Sequence, residues 1–296
     1  MSFSDAPIVE FSDTVPRLPA WIRSGRGQSD ADIAFLSGAA VSHLDHVLAS
    51  GLVPASLLRQ RLALLSAEAC LAYSGRPERA ADLRDEVHFL RPGDQPGPAG
   101  KTYLAWQHAV DRKGTVASLS RTLGDHAPDR IAMWLDAGRG SPVSQAAGVL
   151  EAVLADMPRQ QAFALILAEA ALARALGWDR ITPILTLGFG TRAPRETGSE
   201  LGLACHQAIL KAVPQVGALA TDLARRRMRL QTAAPKLRAR GAEAAVQLFL
   251  TQDAVAPSAL TSLRSDRAAR RLCDRLVELG AVRELTGRDT FRLYGV

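Results

Sequence analysis

An all-helical body carrying a small C-terminal winged helix-turn-helix is the fold class this sequence predicts, and three observations predict it. The 296 residues are 47% hydrophobic and 22% charged, and they are heavy in Ala, Leu and Arg, which lose little side-chain freedom in a helix. Amphipathic segments punctuated by Pro and Gly follow one another, with no convincing run of alternating strands before residue 280. From Gly241 the order becomes helix, turn, short helix, turn, longer helix and hairpin.

Residues 1–28 hold Pro7, Pro16 and Pro19 with little periodicity, which predicts an extended N-terminal arm packing through Phe11 and Trp21. Ser29 or Asp30 can cap a helix running to Ser50, Pro54 suits the first turn of a second reaching Tyr73, and Pro77 opens a third over RPERAADLRDEVHFLR. The loop Arg91 to Gly100 is the densest Pro/Gly stretch. It leads into KTYLAWQHAVDRKG, a helix with Tyr103 and Trp106 on one side. Further helices are expected over Val116–Leu123, Arg130–Asp136, Pro142–Asp156, Gln160–Leu176, Glu200–Ala212 and Gln215–Arg229. No fixed-period repeat is present. The division that follows is an arm over 1–28, an all-helical domain over 29–235, and a winged helix-turn-helix over 236–296.

The most apolar stretch, Ala162 to Trp178, is interrupted by Glu169 and Arg174. It falls short of the ~20 uncharged residues that cross a bilayer, so a buried core helix and no membrane partner are expected. MSFSDAPIVEF lacks a basic region followed by an apolar run, which points to the cytoplasm. Cys70, Cys205 and Cys273 are odd in number and far apart, as reduced core thiols are.

Charge is unevenly placed. Thr221 to Val296 carries fifteen Lys and Arg against eight Asp and Glu, so that segment is +7 within a chain of net +6 and everything before it is −1. A basic C-terminal quarter is the pattern of a part that meets a polyanion.

Within that quarter, Glu243 to Leu250 reads as a first helix and PSALTSL, from Pro257, as a short second one. Ser265 can cap the third, SDRAARRLCDRLVEL, with Asp266 near its positive end and Gly280 as its stop. On a helical wheel Ala269, Leu272, Leu276 and Leu279 form one stripe, and Arg267, Arg270, Arg271, Asp274 and Glu278 point the other way. The arginines fall in the first half, the part of a recognition helix that enters the major groove. Ala281–Leu285 and Thr290–Tyr294 can pair around TGRD as a wing. Gly287 would supply the turn, Arg288 would stand at the tip, and Phe291 and Leu293 would share the inward face. Arg264, Ser265, Arg267, Arg270, Arg271, Arg275, Arg283 and Arg288 are therefore the candidate nucleic-acid contacts. A winged helix used only for protein contacts is the competing account.

The ending RAARRLCDRLVELGAVRELTGRDTFRLYGV resembles the C-terminal winged helix of bacterial Fic-type proteins. The Fic catalytic motif, a His followed by Pro/Phe and a GNGR-type loop, is missing, so the resemblance does not carry AMP transfer with it. Taken with LRDEVHFLRPGDQPGPAGKTYLAW, most of the chain resembles an uncharacterised family of alphaproteobacterial, plasmid-linked proteins, the domain of unknown function 1403, which brings no known activity.

Other motifs are weaker. GPAGKT, Gly97 to Thr102, lacks the first glycine of a phosphate loop, where Gln95 stands, and reads as an interhelical loop with Gly100 and Lys101 opening the next helix. His43 and His46 share a helical face with Asp45 nearby, but further metal ligands are not identifiable. GFGTR, Gly188 to Arg192, reads as a loop. Asp82, Asp85 and Glu86 beside His88, leading to Arg91 and Asp94, form the one cluster suited to acid/base work, but ordinary surface pairs of Arg79 with Asp82 and of Arg84 with His88 or neighbouring acids are the better account. The expectation is therefore a sequence-specific DNA-binding protein, a regulator or plasmid-maintenance factor, not an enzyme, with no cofactor and no metal. Its body would form a homodimer or bind a small effector or protein partner. The alternative is an adaptor subunit of a larger nucleoprotein or protein complex, positioned by the winged helix.

Overall fold

The computed structural model describes residues 14–24, 29–91, 93–124, 126–190, 194–237 and 240–296. Pro7, Phe11, Pro92, Arg192 and Arg238 lie outside them. Within the segment read as an arm, α1 (Ala20–Ser24) buries Ile22, while Trp21 stays 52% exposed and stacks on Phe35 with 5.9 Å between ring centroids. Helix α2 (Asp30–Ala49) opens with a capping box: Asp32 N–H donates to the Ser29 hydroxyl and Ser29 N–H donates to the Asp32 carboxylate.

Helix α3 (Ala55–Tyr73) follows Pro54, and α4 (Ala80–His88) begins three residues beyond Pro77 because Asp82 accepts from Arg79 N–H at 2.8 Å and sets the start there. Helix α5 (Pro98–Asp111) starts ahead of Lys101, since proline is favoured in a first turn. Gly97 and Gly100 let it approach α4 closely. A Cβ at these positions would stand 2.5 and 3.1 Å from Glu86 Oε1.

After α6 (Val116–Leu123) and α7 (Pro128–Leu135), helices α8 (Pro142–Asp156) and α9 (Gln161–Ala175) pack together as a pair. Every residue of α9 from Phe163 to Ala173 is buried, as expected for the most apolar stretch of the chain. One of them is Glu169. Its carboxylate accepts from Ile184 N–H and Thr186 N–H, each at 3.0 Å, and from the Thr186 hydroxyl at 3.2 Å, anchoring the start of α10 (Leu185–Phe189). GFGTR is therefore not all loop: Gly188 and Phe189 end α10, and Gly188 lies so close to the next helix that a Cβ would meet Ala208 O at 1.8 Å.

The spine is α11 (Gly198–Ala233), 36 residues and about 54 Å long at 1.5 Å per residue. Two helices were expected around Pro214. One runs through it because the buried stripe Leu201, Cys205, Ala208, Ile209, Ala212, Val213, Val216, Ala220 and Leu223 stays in phase on both sides. Packing against α2, α8 and α10 outweighs the single hydrogen bond that proline removes.

A 3-10 turn (Ala234–Lys236) leads to α12 (Ala242–Phe249), a second 3-10 turn (Pro257–Ala259), α13 (Asp266–Glu278) and a hairpin of β1 (Arg283–Glu284) and β2 (Tyr294–Gly295). Gly241 opens α12 at φ 90°, and a Cβ there would lie 2.3 Å from Ser262 O. The expected second helix is reduced to the 3-10 turn. Leu260 and Leu263 are both buried three residues apart, a spacing that repeats the 3-10 period. One apolar cluster runs from Val15 to Val296 through body and winged helix alike. No helix among the described residues is long and apolar enough to cross a membrane.

Candidate nucleic-acid interface

Helix α13 is capped as its sequence requires, with Ala268 N–H donating to the Ser265 hydroxyl at 3.3 Å. Ala269, Leu272, Cys273 and Leu276 are buried, and Gly280 leaves the helix at φ 64°. The solvent side carries two rows. Arg267, Arg271 and Arg275 recur at four-residue spacing and are exposed, with exposed Arg264 just before the cap. Arg275 is partly neutralised by Glu278 at 2.9 Å. Asp266, Arg270 and Asp274 form the second row and line a cleft of about 940 Å³.

The hairpin pairs Arg283 with Gly295 and Glu284 with Tyr294, and Leu285 N–H donates to Leu293 O at 2.8 Å. Val255 adds a third rung: its N–H donates to Tyr294 O at 2.8 Å and its carbonyl accepts from Tyr294 N–H at 2.9 Å. The ladder is shorter than expected. Glu284 draws the chain outward by accepting from Thr286 N–H and Gly287 N–H, both at 2.7 Å, so Thr290 to Arg292 leave the strand. Phe291 does not share the inward face of Leu293. It is 75% exposed in the left-handed region at φ 55°, whereas Leu293 is fully buried.

The remaining candidate arginines diverge. Arg283 is exposed on β1 but close to Arg226, Arg61 and Arg84, and partial burial together with these cations holds its guanidinium below the usual value. Arg288 turns towards the body. It forms an ion pair with Asp85 of α4, and its guanidinium lies 5.8 Å from the centre of the Phe89 ring. Phe89 in turn meets Phe291 edge-on at 5.7 Å. The structure thus groups Arg264, Ser265, Arg267, Arg270, Arg271 and Arg275 on or beside α13, and sets Arg283 and Arg288 apart from them.

A second junction lies deeper. Asp253, 1% exposed, forms ion pairs with Arg61 of α3 and with Arg84 of α4, the latter at 2.5 and 3.2 Å. Arg84 therefore does not belong to a surface network with His88, because the buried carboxylate of the winged helix claims it. Arg79 likewise reaches Glu68 at 3.2 Å with its guanidinium and Asp82 only through its backbone N–H. The sequence reading placed Asp85 in an acidic cluster but not against the wing, and it did not identify Asp253 or Phe89 as contact residues.

Other motifs are absorbed into the framework. Asp45 accepts from Trp178 Nε1–H at 2.8 Å, and burial holds His43 below the ordinary imidazole value. Ser37 and His206 Nδ1 meet at 2.5 Å, a polar pin between α2 and α11 that the sequence reading did not identify. All three cysteines are free and buried, and burial pushes their thiols up to about 12, where they are protonated and poorly nucleophilic.

The C-terminal winged-helix arrangement and the helical framework ahead of it are matched as one unit by the profile of the family described as protein of unknown function (DUF1403), over residues 7–296. The chain belongs to this family. No curated protein matches it. The family description carries no activity, so function has to be argued from the site.

Proposed function

We propose that this DUF1403 protein binds duplex DNA sequence-specifically through α13 and the adjacent wing, as a transcriptional regulator or plasmid-maintenance factor. The observation that carries the reading is α13 itself. It is an N-capped helix whose buried side is apolar and whose solvent side presents Arg267, Arg270 and Arg271 in the first two turns, with a β-hairpin beside it. Arginines there can bind guanine edges bidentately or flanking phosphates, and acids concentrate in the later half, where Asp274 and Glu278 stand. The local excess of positive charge supports the same partner.

The test is selection of the full chain on a random duplex pool at ~150 mM salt, where the nonspecific phosphate contribution is suppressed. Enrichment of one motif is expected. Replacing Arg267, Arg270 and Arg271 together with Ala should lower affinity at least a hundredfold and flatten its salt dependence, since each lost contact removes roughly one unit of the salt slope. An inverted repeat would indicate a homodimer reading two half-sites.

A second reading, the adaptor subunit, draws support from a different surface. Trp21 of α1 and Phe35 of α2 stack in the open at 52% and 68% exposure on the body. Absence of an enriched motif, with retained capture of a protein partner that Trp21→Ala abolishes, would favour it.

A further inference from the structure

The wing touches the body at its tip as well as at its base, and what it meets there is an acid. We propose that α4 holds the wing in an autoinhibited position in which Asp85 occupies the place on Arg288 that a backbone phosphate would take, so that duplex binding requires the wing to leave α4. The inference rests on the nucleic-acid reading above and adds its regulation.

Three observations carry it. First, the chemistry is interchangeable: a carboxylate oxygen and a phosphate oxygen accept from a guanidinium in the same way. Arg288, at the tip of the wing, is already engaged by Asp85. Second, the contact is a clamp of several groups. The Phe89 ring lies beneath the Arg288 guanidinium and against the edge of Phe291, whose left-handed backbone places an otherwise exposed ring there. A bulky residue adopts that conformation at a cost, which a compensating contact such as the one with Phe89 offsets.

Third, the held wing and the exit of α4 share a cleft with the recognition helix. The cleft has Arg270 and Asp274 of α13 on one wall and Phe89, Leu90 and Arg91, at the exit of α4, on the other. Arg270, one of the proposed contacts on α13, thus borders the same cleft as the held wing and the exit of α4. Release is feasible because the ion pair is solvent-accessible, with the side chains of Arg288 and Asp85 51% and 24% exposed, and screened pairs of this kind are weak.

The experiment measures affinity of the full-length protein for a fluorescent random-sequence duplex at ~50 mM salt, where phosphate contacts of the kind withheld from Arg288 are measurable, with wing amide exchange over residues 286–292 as a readout independent of DNA. Asp85→Asn, Phe89→Leu and the double variant are compared with wild type and with Asp289→Asn, which removes a wing charge without touching the clamp. Each single change should tighten binding about fivefold and the double change up to about thirtyfold, as expected for losing one exposed ion pair and one aromatic contact. Wing exchange should accelerate in parallel. Phe89→Leu is decisive because it alters no charge.

Unchanged affinity in Phe89→Leu, or a gain in Asp85→Asn no larger than in Asp289→Asn, overturns the latch. So does faster exchange without tighter binding. If wild type binds DNA and the latch variants bind it equally, only the latch falls. If no variant binds at all, the nucleic-acid reading falls with it.

Discussion

The winged helix is joined to the body by two Arg–Asp contacts built from the same chemistry in opposite surroundings. At the base, Asp253 is 1% exposed and shared between Arg61 and Arg84. At the tip, Asp85 and Arg288 are 24% and 51% exposed, beside the Phe89–Phe291 contact. Charges removed from water depend on one another, because each is left uncompensated if its partner goes. Those in water are screened and replaceable. The difference indicates a winged helix fixed at its base and held lightly at its tip, which is the distribution of stability that a movable wing needs.

The largest expected effect comes from breaking the base. Asp253→Ala strands two guanidiniums in the seam and should destabilise the protein by roughly 3 to 5 kcal/mol, the usual cost of halving a buried ion pair, measured by urea unfolding. Replacing Arg61 and Arg84 with Met and Asp253 with Leu together should recover most of that loss. If the single change were mild, the base would not be the fixed point.

Glu169 sharpens the comparison because its carboxylate is fully buried with amide and hydroxyl donors in place of cations. Burial raises it from 4.5 to about 7, and the donated hydrogen bonds only partly oppose this. For an acid raised in the folded state, the native protein holds a proton that the unfolded chain has lost between these two values. The stabilising contribution of Glu169 should therefore be greatest below pH 4.5, decline as pH rises towards 7 and level off above it. At about 1.4 kcal/mol per unit, the total is roughly 3 kcal/mol. Glu169→Gln, which retains an acceptor oxygen and cannot ionise, should flatten that slope in unfolding midpoints collected from pH 4 to 8.

The smallest effect belongs to the tip. Arg288→Ala should change global stability by no more than about 1 kcal/mol, because an exposed pair contributes little and the base remains intact. A loss comparable to that of Asp253→Ala would erase the distinction between the two contacts.

Where the structure agrees with the sequence, the signal lies within a turn of the residue concerned. Ser29 and Ser265 start helices because their hydroxyls reach an amide three residues on, and Gly280 stops α13 because it accepts a positive φ. Ala269, Leu272 and Leu276 are buried as their spacing required, and α9, the most apolar stretch of the chain, is core despite Glu169. The positions that sequence reasoning missed are those settled elsewhere in the chain. Pro214 sits inside one helix because packing along α11 continues past it. Arg84 is claimed by a carboxylate 169 residues away, and Arg288 by one 203 residues away. Phe291 faces out because Glu284 bends the hairpin early and α4 supplies a ring beside it.

The sequence by itself determined that this protein is helical, that its last segment is a basic winged helix, and which face of α13 is apolar, since periodicity, caps and charge are properties of neighbours along the chain. Only the tertiary structure decided which arginines remain open to solvent and which are paired with an acid, because that depends on what the fold brings within a few ångströms and how much water it leaves there.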